Sequence, residues 1–283
     1  MIDARPDLLV IGALTVDRFA DGSSAPGGSV LHIARAAAPR GIRVAIMTVA
    51  GPEPVARGGL EELRALAASV DSATADVTPT FVHRDTPGGR RLWLERRGGP
   101  IRPPDFDWGA APRTALVAPI ADEIAAEVLT GLDPAPSRGA ILQGFLRSFA
   151  ADGEVRPIPL SALASGLAAA LSRFDLLVAG REDLLGEATE PSDQLTALRR
   201  TVGPRPKLIV TDGVNGVWSD DWHLPVPRWV EGVPTVGAGD IFAAVMLAGG
   251  WPRPASAEFV RERAEGAMRV VADVLEERDG RAR

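Results

Sequence analysis

Short apolar runs recur along the chain and alternate with segments that have the periodicity of helices. Such runs are typical of strands buried on both faces of a parallel sheet. They lie at residues 7–14, 41–49, 114–119, 140–145, 174–179 and 207–211. Helices are predicted at residues 30–37, around 60–66, and at 121–129, 160–172, 194–201 and about 255–277. This order predicts an α/β fold with a doubly wound, mostly parallel sheet.

One stretch interrupts the alternation. Thr80–His83 and Arg90–Glu95 flank a turn that contains proline and glycine, a pattern typical of a β-hairpin. We therefore predict a small, reduced β lid at about residues 78–101. Residues 18–26 and the proline-rich residues 100–112 are expected to be loops. The whole chain, residues 1–283, is expected to form a single domain.

Composition narrows the classes of function. A net charge of −6 and an isoelectric point near 5.2 argue against a nucleic-acid-binding protein, which would present a basic face. The chain has no cysteine and only three histidines, so any metal is expected to be held by oxygen atoms. No apolar run reaches the ~18 residues of a membrane span, and the N-terminal residues lack the apolar core of a signal peptide. We therefore expect a cytoplasmic protein.

The stretch Gly237-Ala238-Gly239-Asp240 precedes an apolar helix and is the strongest candidate for chemistry. Glycines let backbone amides come close to a ligand, and amides at a helix N-terminus attract phosphate. A carboxylate in the first turn adds a candidate base. The same residues are equally compatible with a tight loop in which Asp240 only caps the helix.

A second group of candidates lies near the N-terminus. Asp17 follows the first predicted strand, where α/β sheets bind ligands, so it is a candidate for binding ligand hydroxyls. Gly27 and Gly28 precede a predicted helix and suggest a close approach of backbone to ligand. His32 lies one turn into that helix. A solvated turn aspartate explains Asp17 equally well, and a histidine at the position of His32 is more often a hydrogen-bonded neighbour of the core.

Together these segments resemble the ribokinase, or PfkB, family of carbohydrate kinases over nearly the whole chain. The stretch 235–242 is similar to the family signature, which implies Asp240 as general base and the backbone amides of Gly237, Ala238, Gly239 and Asp240 as an anion hole. The stretch 210–216 resembles the nucleotide-side turn of the family. The resemblance implies ATP and Mg²⁺ as cofactors and assigns the nucleotide to Thr211, Gly213, Gly216 and Thr235. It assigns the acceptor to Asp17, Gly27 and Gly28.

The chain departs from the family pattern at four places. Pro234 replaces the leading aspartate of the signature, and His32 stands where an asparagine is usual. The family's Asn-x-x-Glu appears as Gly180-Arg181-Glu182-Asp183, so Asp183, or by a shift Glu182, is left to organise magnesium. Residues 18–26 are too few for the strands that many members use as a lid and dimer interface. A monomer or a homodimer is therefore expected.

The acceptor is predicted from one further motif. Gln143-Gly144-Phe145-Leu146-Arg147 resembles the branch of the family that includes inositol kinases, so Gln143 is predicted to bind the acceptor. A sugar, cyclitol or related polyol is the first choice, and a nucleoside is the second. Arg147 fits either a substrate contact or an exposed cap of a helix carboxyl end. A catalytically silent sugar- or nucleotide-binding regulator of the same fold remains the alternative function.

Overall fold

Parallel strands form the centre of the fold, as the apolar runs predict. The computed structural model describes residues 5–86, 89–102, 114–132 and 135–282. The strands described there are β1 (Leu8–Ile11), β2 (Thr15–Arg18), β3 (Ser24–Gly27), β4 (Val44–Ala50), β5 (Ser69–Thr74), β6 (Thr80–Thr86), β7 (Gly89–Arg96), β8 (Thr114–Val117), β9 (Ser137–Ile141), β10 (Arg147–Phe149), β11 (Val155–Pro157), β12 (Leu176–Gly180), β13 (Lys207–Thr211), β14 (Val217–Ser219) and β15 (His223–Leu224).

The main sheet has the order β15-β14-β13-β12-β9-β8-β1-β4-β5. All neighbouring pairs from β13 to β5 are parallel, and β14 and β15 add an antiparallel edge. Each of the six predicted apolar runs overlaps one of the parallel strands, although the run 140–145 shares only its first two residues with β9. The predicted fold class, a doubly wound and mostly parallel sheet, is therefore confirmed.

Helices cover both faces of this sheet. They are α1 (Ser29–Ala37), α2 (Pro54–Leu66), α3 (Ala126–Gly131), α4 (Ser165–Leu171), α5 (Pro191–Val202), α6 (Ala238–Leu247) and α7 (Ala257–Ala282). In β1, Leu8 and Val10 pack with α1, α2, α6 and α7, whereas Leu9 and Ile11 pack with α3, α4 and α5. Alternate residues of one strand thus enter two different cores, which is why β1 is apolar throughout.

The lid is larger than the hairpin alone. Strands β6 and β7 pair as predicted, but they join β2 and β3 in a second sheet of order β3-β2-β6-β7. The expectation that residues 18–26 form only a loop is therefore wrong, because Ser24–Gly27 is a strand paired with β2. A four-residue strand containing serine, proline and glycine carries no alternating pattern, so its residues do not predict a strand.

A second short hairpin ties the lid to the body of the fold. Strands β10 and β11 pair with each other, and the Leu94 amide of β7 donates to the Gly153 carbonyl in their turn at 2.8 Å. The tip of the lid hairpin at residues 87–88 and most of the predicted loop at residues 100–112 lie outside the described residues. In the part of the chain that is described, no helix combines the length and the apolar character needed to span a bilayer.

Some element boundaries differ from the predictions. Helix α3 begins at Ala126 rather than at residue 121, because residues 120–123 form a turn closed by the Glu123 carboxylate. The run 140–145 is a strand only as far as Ile141, after which Gln143–Leu146 form one 3₁₀ turn. That turn sets the directions of Gln143 and Arg147, which matter for the site.

Candidate active site

A cleft of about 1240 Å³ lies beyond the carboxyl ends of β9, β12 and β13 and beneath the lid. Ligands of open α/β sheets bind at such strand ends. The predicted site residues that line it are Asp17, Gly28, His32, Gln143, Glu182, Asp183, Thr211, Thr235, Gly237, Gly239 and Asp240. Four predicted residues do not line it, namely Gly27, Ala238, Gly213 and Gly216.

The turn before α6 holds the backbone of the signature in place. Gly237 has φ +79, in the left-handed region, and forms the N-cap of α6. The Ala238 amide donates to the Thr235 carbonyl at 3.0 Å, so it closes this turn. The amides of Gly239 and Asp240, in the first helical turn, have no acceptor within the helix. These two amides are the part of the predicted anion hole that remains available to a ligand.

The Asp240 carboxylate is buried at this helix start. Burial raises the pKa of Asp240 from its ordinary 3.8 to about 6, against a hydrogen bond from Ser29 and the charge of Arg147, while the charge of Asp183 raises it further. Its Oδ1 atom has no hydrogen-bond partner among the described residues. A buried carboxylate oxygen without a donor is suited to accept a hydrogen bond from a ligand hydroxyl.

Arg147 lies in the cleft wall and is partly buried, so it is not the exposed helix cap that the sequence left open as one of two interpretations. Its Nη1 donates to the Ile120 carbonyl at 3.2 Å. With its amide oxygen turned toward the guanidinium, Gln143 accepts from the same Nη1 at 2.8 Å. Burial lowers the pKa of Arg147, and the charges of Asp183, Glu182, Asp240 and Glu123 oppose that shift. The arginine therefore places positive charge among the acidic groups of the cleft.

The acidic turn after β12 contributes Glu182 and Asp183. The Gly180 amide donates to Asp183 Oδ2 at 3.1 Å. Burial raises the pKa of Asp183 to about 6, the Arg147 charge opposes the shift, and the charge of Glu182 adds to it. Among the described residues, no group of three or more acidic or imidazole side chains could enclose a metal ion. Two cleft carboxylates without a cage suit an ion that is held partly by phosphate oxygens.

The end of the cleft that is predicted to bind the acceptor, here called the acceptor end, is built from β2 and the start of α1. Gly28 has φ +100, and a Cβ there would lie 2.5 Å from the Ala13 carbonyl oxygen. A Cβ at Gly27 would lie within 2.1 Å of Asp17 Oδ2. Packing against Asp17 and against the β1–β2 connection therefore requires both glycines. Gly27 acts by making room for the Asp17 carboxylate rather than by lining the cleft.

His32 faces this end from α1. Burial lowers the pKa of His32 to about 4, although the Asp17 charge opposes the shift. The ring is therefore neutral at physiological pH. Its Nδ1 has no hydrogen-bond partner among the described residues.

The turn predicted to lie on the nucleotide side follows β13. Thr211 and Thr235 line the cleft, whereas Gly213 and Gly216 shape the turn after β13. Gly216 has φ +91, and a Cβ there would lie 2.0 Å from the Leu224 carbonyl oxygen, so packing against β15 requires it. Arg181 Nη1 contacts Asp212 Oδ2 at 3.2 Å beside this turn.

Of the cleft residues that were not predicted from the sequence, four have charged or imidazole side chains, namely His83, Arg91, Glu154 and Arg156. Glu154 accepts from Arg91 Nη1 at 2.7 Å and from Arg156 Nε at 2.8 Å. This cluster joins the lid strand β7 to the hairpin of β10 and β11 at the rim of the cleft. Only the pairing of separate hairpins brings these residues together, so no local motif could have identified them.

Comparisons with known proteins agree with this fold. The family model described as pfkB family carbohydrate kinase matches residues 2–260. No curated protein sequence matches significantly.

Many solved structures are similar in fold, among them three kinases. One is a pyrophosphate-dependent kinase in the ribokinase family, complexed with a pyrophosphate analogue and myo-inositol, with TM-score 0.77, 18% identity and 95% of each chain covered. Another is ribokinase from Arabidopsis thaliana complexed with ribose and ATP, with TM-score 0.64, 15% identity, and coverage of 96% of this chain and 99% of that chain.

The third is aminoimidazole riboside kinase from Salmonella enterica, complexed with aminoimidazole riboside and an ATP analogue, with TM-score 0.67 and 16% identity. The match covers 95% of this chain and 93% of that chain. Because the family model spans residues 2–260, the chain belongs to the pfkB family of carbohydrate kinases and is a phosphotransferase that acts on sugar hydroxyls.

Proposed function

We propose that the protein is an ATP-dependent kinase that transfers the γ-phosphoryl group to a hydroxyl of a sugar, cyclitol or related small polyol. The observation that carries this proposal is the position of Asp240. It is a buried carboxylate with an unpartnered oxygen, it lies at a helix N-terminus, and it lines the same cleft as Asp17. A base beside a phosphate-attracting helix start is what phosphoryl transfer to an alcohol requires.

In the proposed mechanism, the oxygen of the acceptor hydroxyl attacks the γ-phosphorus of ATP while Asp240 accepts the proton of that hydroxyl. The bond between the γ-phosphorus and the oxygen that bridges to the β-phosphate breaks, and ADP leaves. The raised pKa of Asp240, about 6, leaves the group ionised at neutral pH and more basic than an ordinary aspartate. The amides of Gly239 and Asp240 would stabilise negative charge on the phosphoryl group being transferred. Arg147 would add positive charge from the other wall of the cleft.

Magnesium fits the acidic turn. Asp183 and Glu182 are the residues that would hold the ion, because both line the cleft and oxygen ligands suit Mg²⁺. The bound ion would neutralise phosphate charge during transfer. Asp183 lies close to the positive charge of Arg147. The acidic turn and Arg147 therefore bring charges of both signs to the proposed phosphate site, whether one or both carboxylates bind the ion.

ATP is the proposed donor, with Thr211 and Thr235 at its end of the cleft. Pyrophosphate is a second candidate, and one feature favours testing it. Thr211 and Thr235 line the cleft whereas Gly213 and Gly216 do not, so only two of the four residues assigned to the nucleotide face the cleft. We infer a cytoplasmic location because ATP is available there, and a monomer or a homodimer as the assembly.

A neutral polyol is the proposed acceptor class. Asp17, His32 and Gln143 offer hydrogen-bonding groups around the acceptor end of the cleft. A nucleoside remains the second acceptor. A silent regulator of the same fold is the competing function, but the retained base and helix start argue against it, since binding alone does not require a buried carboxylate at that point.

A donor and acceptor matrix tests the proposal. Purified protein is assayed with Mg²⁺ and either ATP or pyrophosphate against a panel of sugars, cyclitols and nucleosides. We expect phosphorylated product from at least one polyol, with a loss of about 10²-fold or more in Asp240→Asn. Tight binding of a panel member without turnover by any donor would support the regulator instead.

A further inference from the structure

The lid places a histidine against the aspartate of the acceptor end. His83 lies on β6 and Asp17 on β2, and these strands pair in parallel with Asp17 opposite Phe81. His83 Nε2 lies 3.5 Å from Asp17 Oδ1, and the two side chains are only 11% and 13% exposed. That separation is longer than a good N–H···O hydrogen bond.

Both ring nitrogens of His83 are buried without a hydrogen-bond partner among the described residues. Buried polar atoms in folded proteins are nearly always hydrogen-bonded, so an unpartnered pair requires an explanation. The ring also lines the cleft and stacks on Phe19 with a centroid distance of 5.1 Å. Its orientation is therefore fixed by packing, while its polar atoms are left for a ligand.

The chemistry of the pair defines that ligand. A carboxylate only accepts hydrogen bonds, so the ring nitrogen beside Asp17 is the one that carries hydrogen. One hydroxyl can donate to Asp17 and accept from His83 Nε2 at the same time. Such a hydroxyl would bridge Asp17 and His83 Nε2, whose direct contact is too long.

We infer that His83 is a specificity residue for the acceptor, and that it binds, together with Asp17, a second hydroxyl distinct from the one that is phosphorylated. This inference rests on the proposed kinase function and deepens it. The acceptor must then be a polyol with at least two free hydroxyls, and an alcohol with one hydroxyl is excluded. A site built to bind a hydroxyl discriminates strongly against an analogue that lacks it, because its buried polar groups are then left unpaired.

Two variants and a control separate this role from a structural one. His83→Phe keeps a ring that can stack on Phe19 but removes both nitrogens, whereas His83→Gln restores a donor. Arg84→Gln is the matched control on the same strand, because Arg84 is exposed, lies over the Trp93 ring and does not line the cleft.

The acceptor is the best member of the polyol panel, assayed for turnover, and myo-inositol is the fixed probe for binding by calorimetry without donor. We expect His83→Phe to raise the acceptor KM about 10- to 100-fold, with the donor KM and kcat changed far less. His83→Gln should recover part of this loss, and Arg84→Gln should match the wild type. A deoxy form of the acceptor that lacks the bound hydroxyl should react equally poorly with wild type and His83→Phe.

The outcomes separate the two proposals. Turnover with an unchanged acceptor KM in His83→Phe would overturn the inference and leave the kinase proposal standing. Binding of myo-inositol that depends on His83, without turnover by any donor, would support the inference and overturn the kinase proposal. A fall in melting temperature of His83→Phe with no selective effect on the acceptor would assign the residue a structural role. Absence of both turnover and myo-inositol binding in the wild type would overturn both proposals.

Discussion

Gly237 lies directly against the ring of His32. A Cβ built on Gly237 would be 2.4 Å from His32 Cγ, and the residue has φ +79. Both the backbone conformation and the neighbouring ring therefore require glycine here. The contact connects the start of α6 with α1, so the proposed phosphate site and the acceptor end are positioned by the same two residues.

This contact predicts different outcomes for two neighbouring glycines. Gly237→Ala should lower the free energy of unfolding by about 1 to 3 kcal/mol and lower kcat as well, because the strained turn and the His32 ring must shift. A Cβ on Gly239 would meet no atom within 4 Å. Gly239→Ala should therefore leave the melting temperature nearly unchanged while it raises KM for the donor, since the methyl group would face the phosphate. Denaturant unfolding and kinetics check both.

The control for these variants is Gly266→Ala in the long helix α7, where a Cβ would also meet no atom within 4 Å. This variant should stabilise the protein by about 0.5 to 1 kcal/mol without affecting kinetics. A Gly237→Ala variant as stable as the wild type would show that the His32 contact does not constrain the turn.

The acid limb of the pH–rate profile is the second prediction. Burial raises the pKa of Asp240 to about 6, so the proposed base loses its charge as the pH falls through 6. The value of kcat/KM for the acceptor should therefore decline below about pH 6. An ordinary aspartate would hold its activity to about pH 4. Activity that stayed constant from pH 8 to pH 5, with donor and Mg²⁺ saturating, would argue against Asp240 as the base.

The same carboxyl group predicts how stability depends on pH. The pKa of Asp240 is higher in the folded state than in the unfolded state, so protonation of this carboxyl group stabilises the fold. This contribution is complete below the unfolded pKa of 3.8 and is lost as the pH rises through about 6. Asp240→Asn cannot ionise, so it should gain stability relative to the wild type between pH 4 and pH 8, by about 1 to 3 kcal/mol. Denaturant unfolding without Mg²⁺ measures this difference. Asp273→Asn, an exposed surface aspartate, is the control and should show no such trend.

The buried side chain of Glu123 is expected to stabilise the fold near the cleft residue Ile120. Its carboxylate accepts from the amides of Ala13 at 3.2 Å, Ile120 at 3.0 Å and Ala121 at 2.7 Å, so it joins the ends of β1 and β8. Glu123→Gln turns an amide NH₂ group toward these donors and should destabilise the protein by about 1 to 3 kcal/mol.

Chemical unfolding would measure this loss against Glu127→Gln, an exposed first-turn glutamate of α3 that should change stability by only about 0.3 to 1 kcal/mol. Equal effects of the two substitutions would show that the amide contacts of Glu123 add little.

The parallel sheet could be predicted because its strands are buried on both faces. All four residues of β1 are buried, and that continuous apolar run is visible in the sequence. The edge strand β5 was missed because it is only partly buried and carries serine, aspartate and threonine, so it has no apolar run. Strand β3 was missed for a similar reason, and the extent of the lid was underestimated as a result.

The site was predictable where one local motif carries several of its parts. Asp240 and the glycines before it lie together in the sequence, and the structure places Asp17 on the same cleft. The contact of His83 with Asp17 depends instead on the parallel pairing of β2 with β6, whose residues are far apart in the chain. Likewise, the burial of Arg147 among acidic groups depends on tertiary packing that no spacing in the sequence reveals.

The most direct test of the account is to follow phosphoryl transfer by phosphorus NMR in the wild type and in Asp240→Asn, with ATP, Mg²⁺ and the best polyol acceptor of the panel. We expect the wild type to form a phosphomonoester and ADP in equal amounts, and Asp240→Asn to do so about 10²-fold or more slowly while binding acceptor with similar affinity. Asp273→Asn should match the wild type. Full turnover by Asp240→Asn would contradict the assignment of the base, and the absence of any phosphomonoester with the wild type would contradict the proposed reaction.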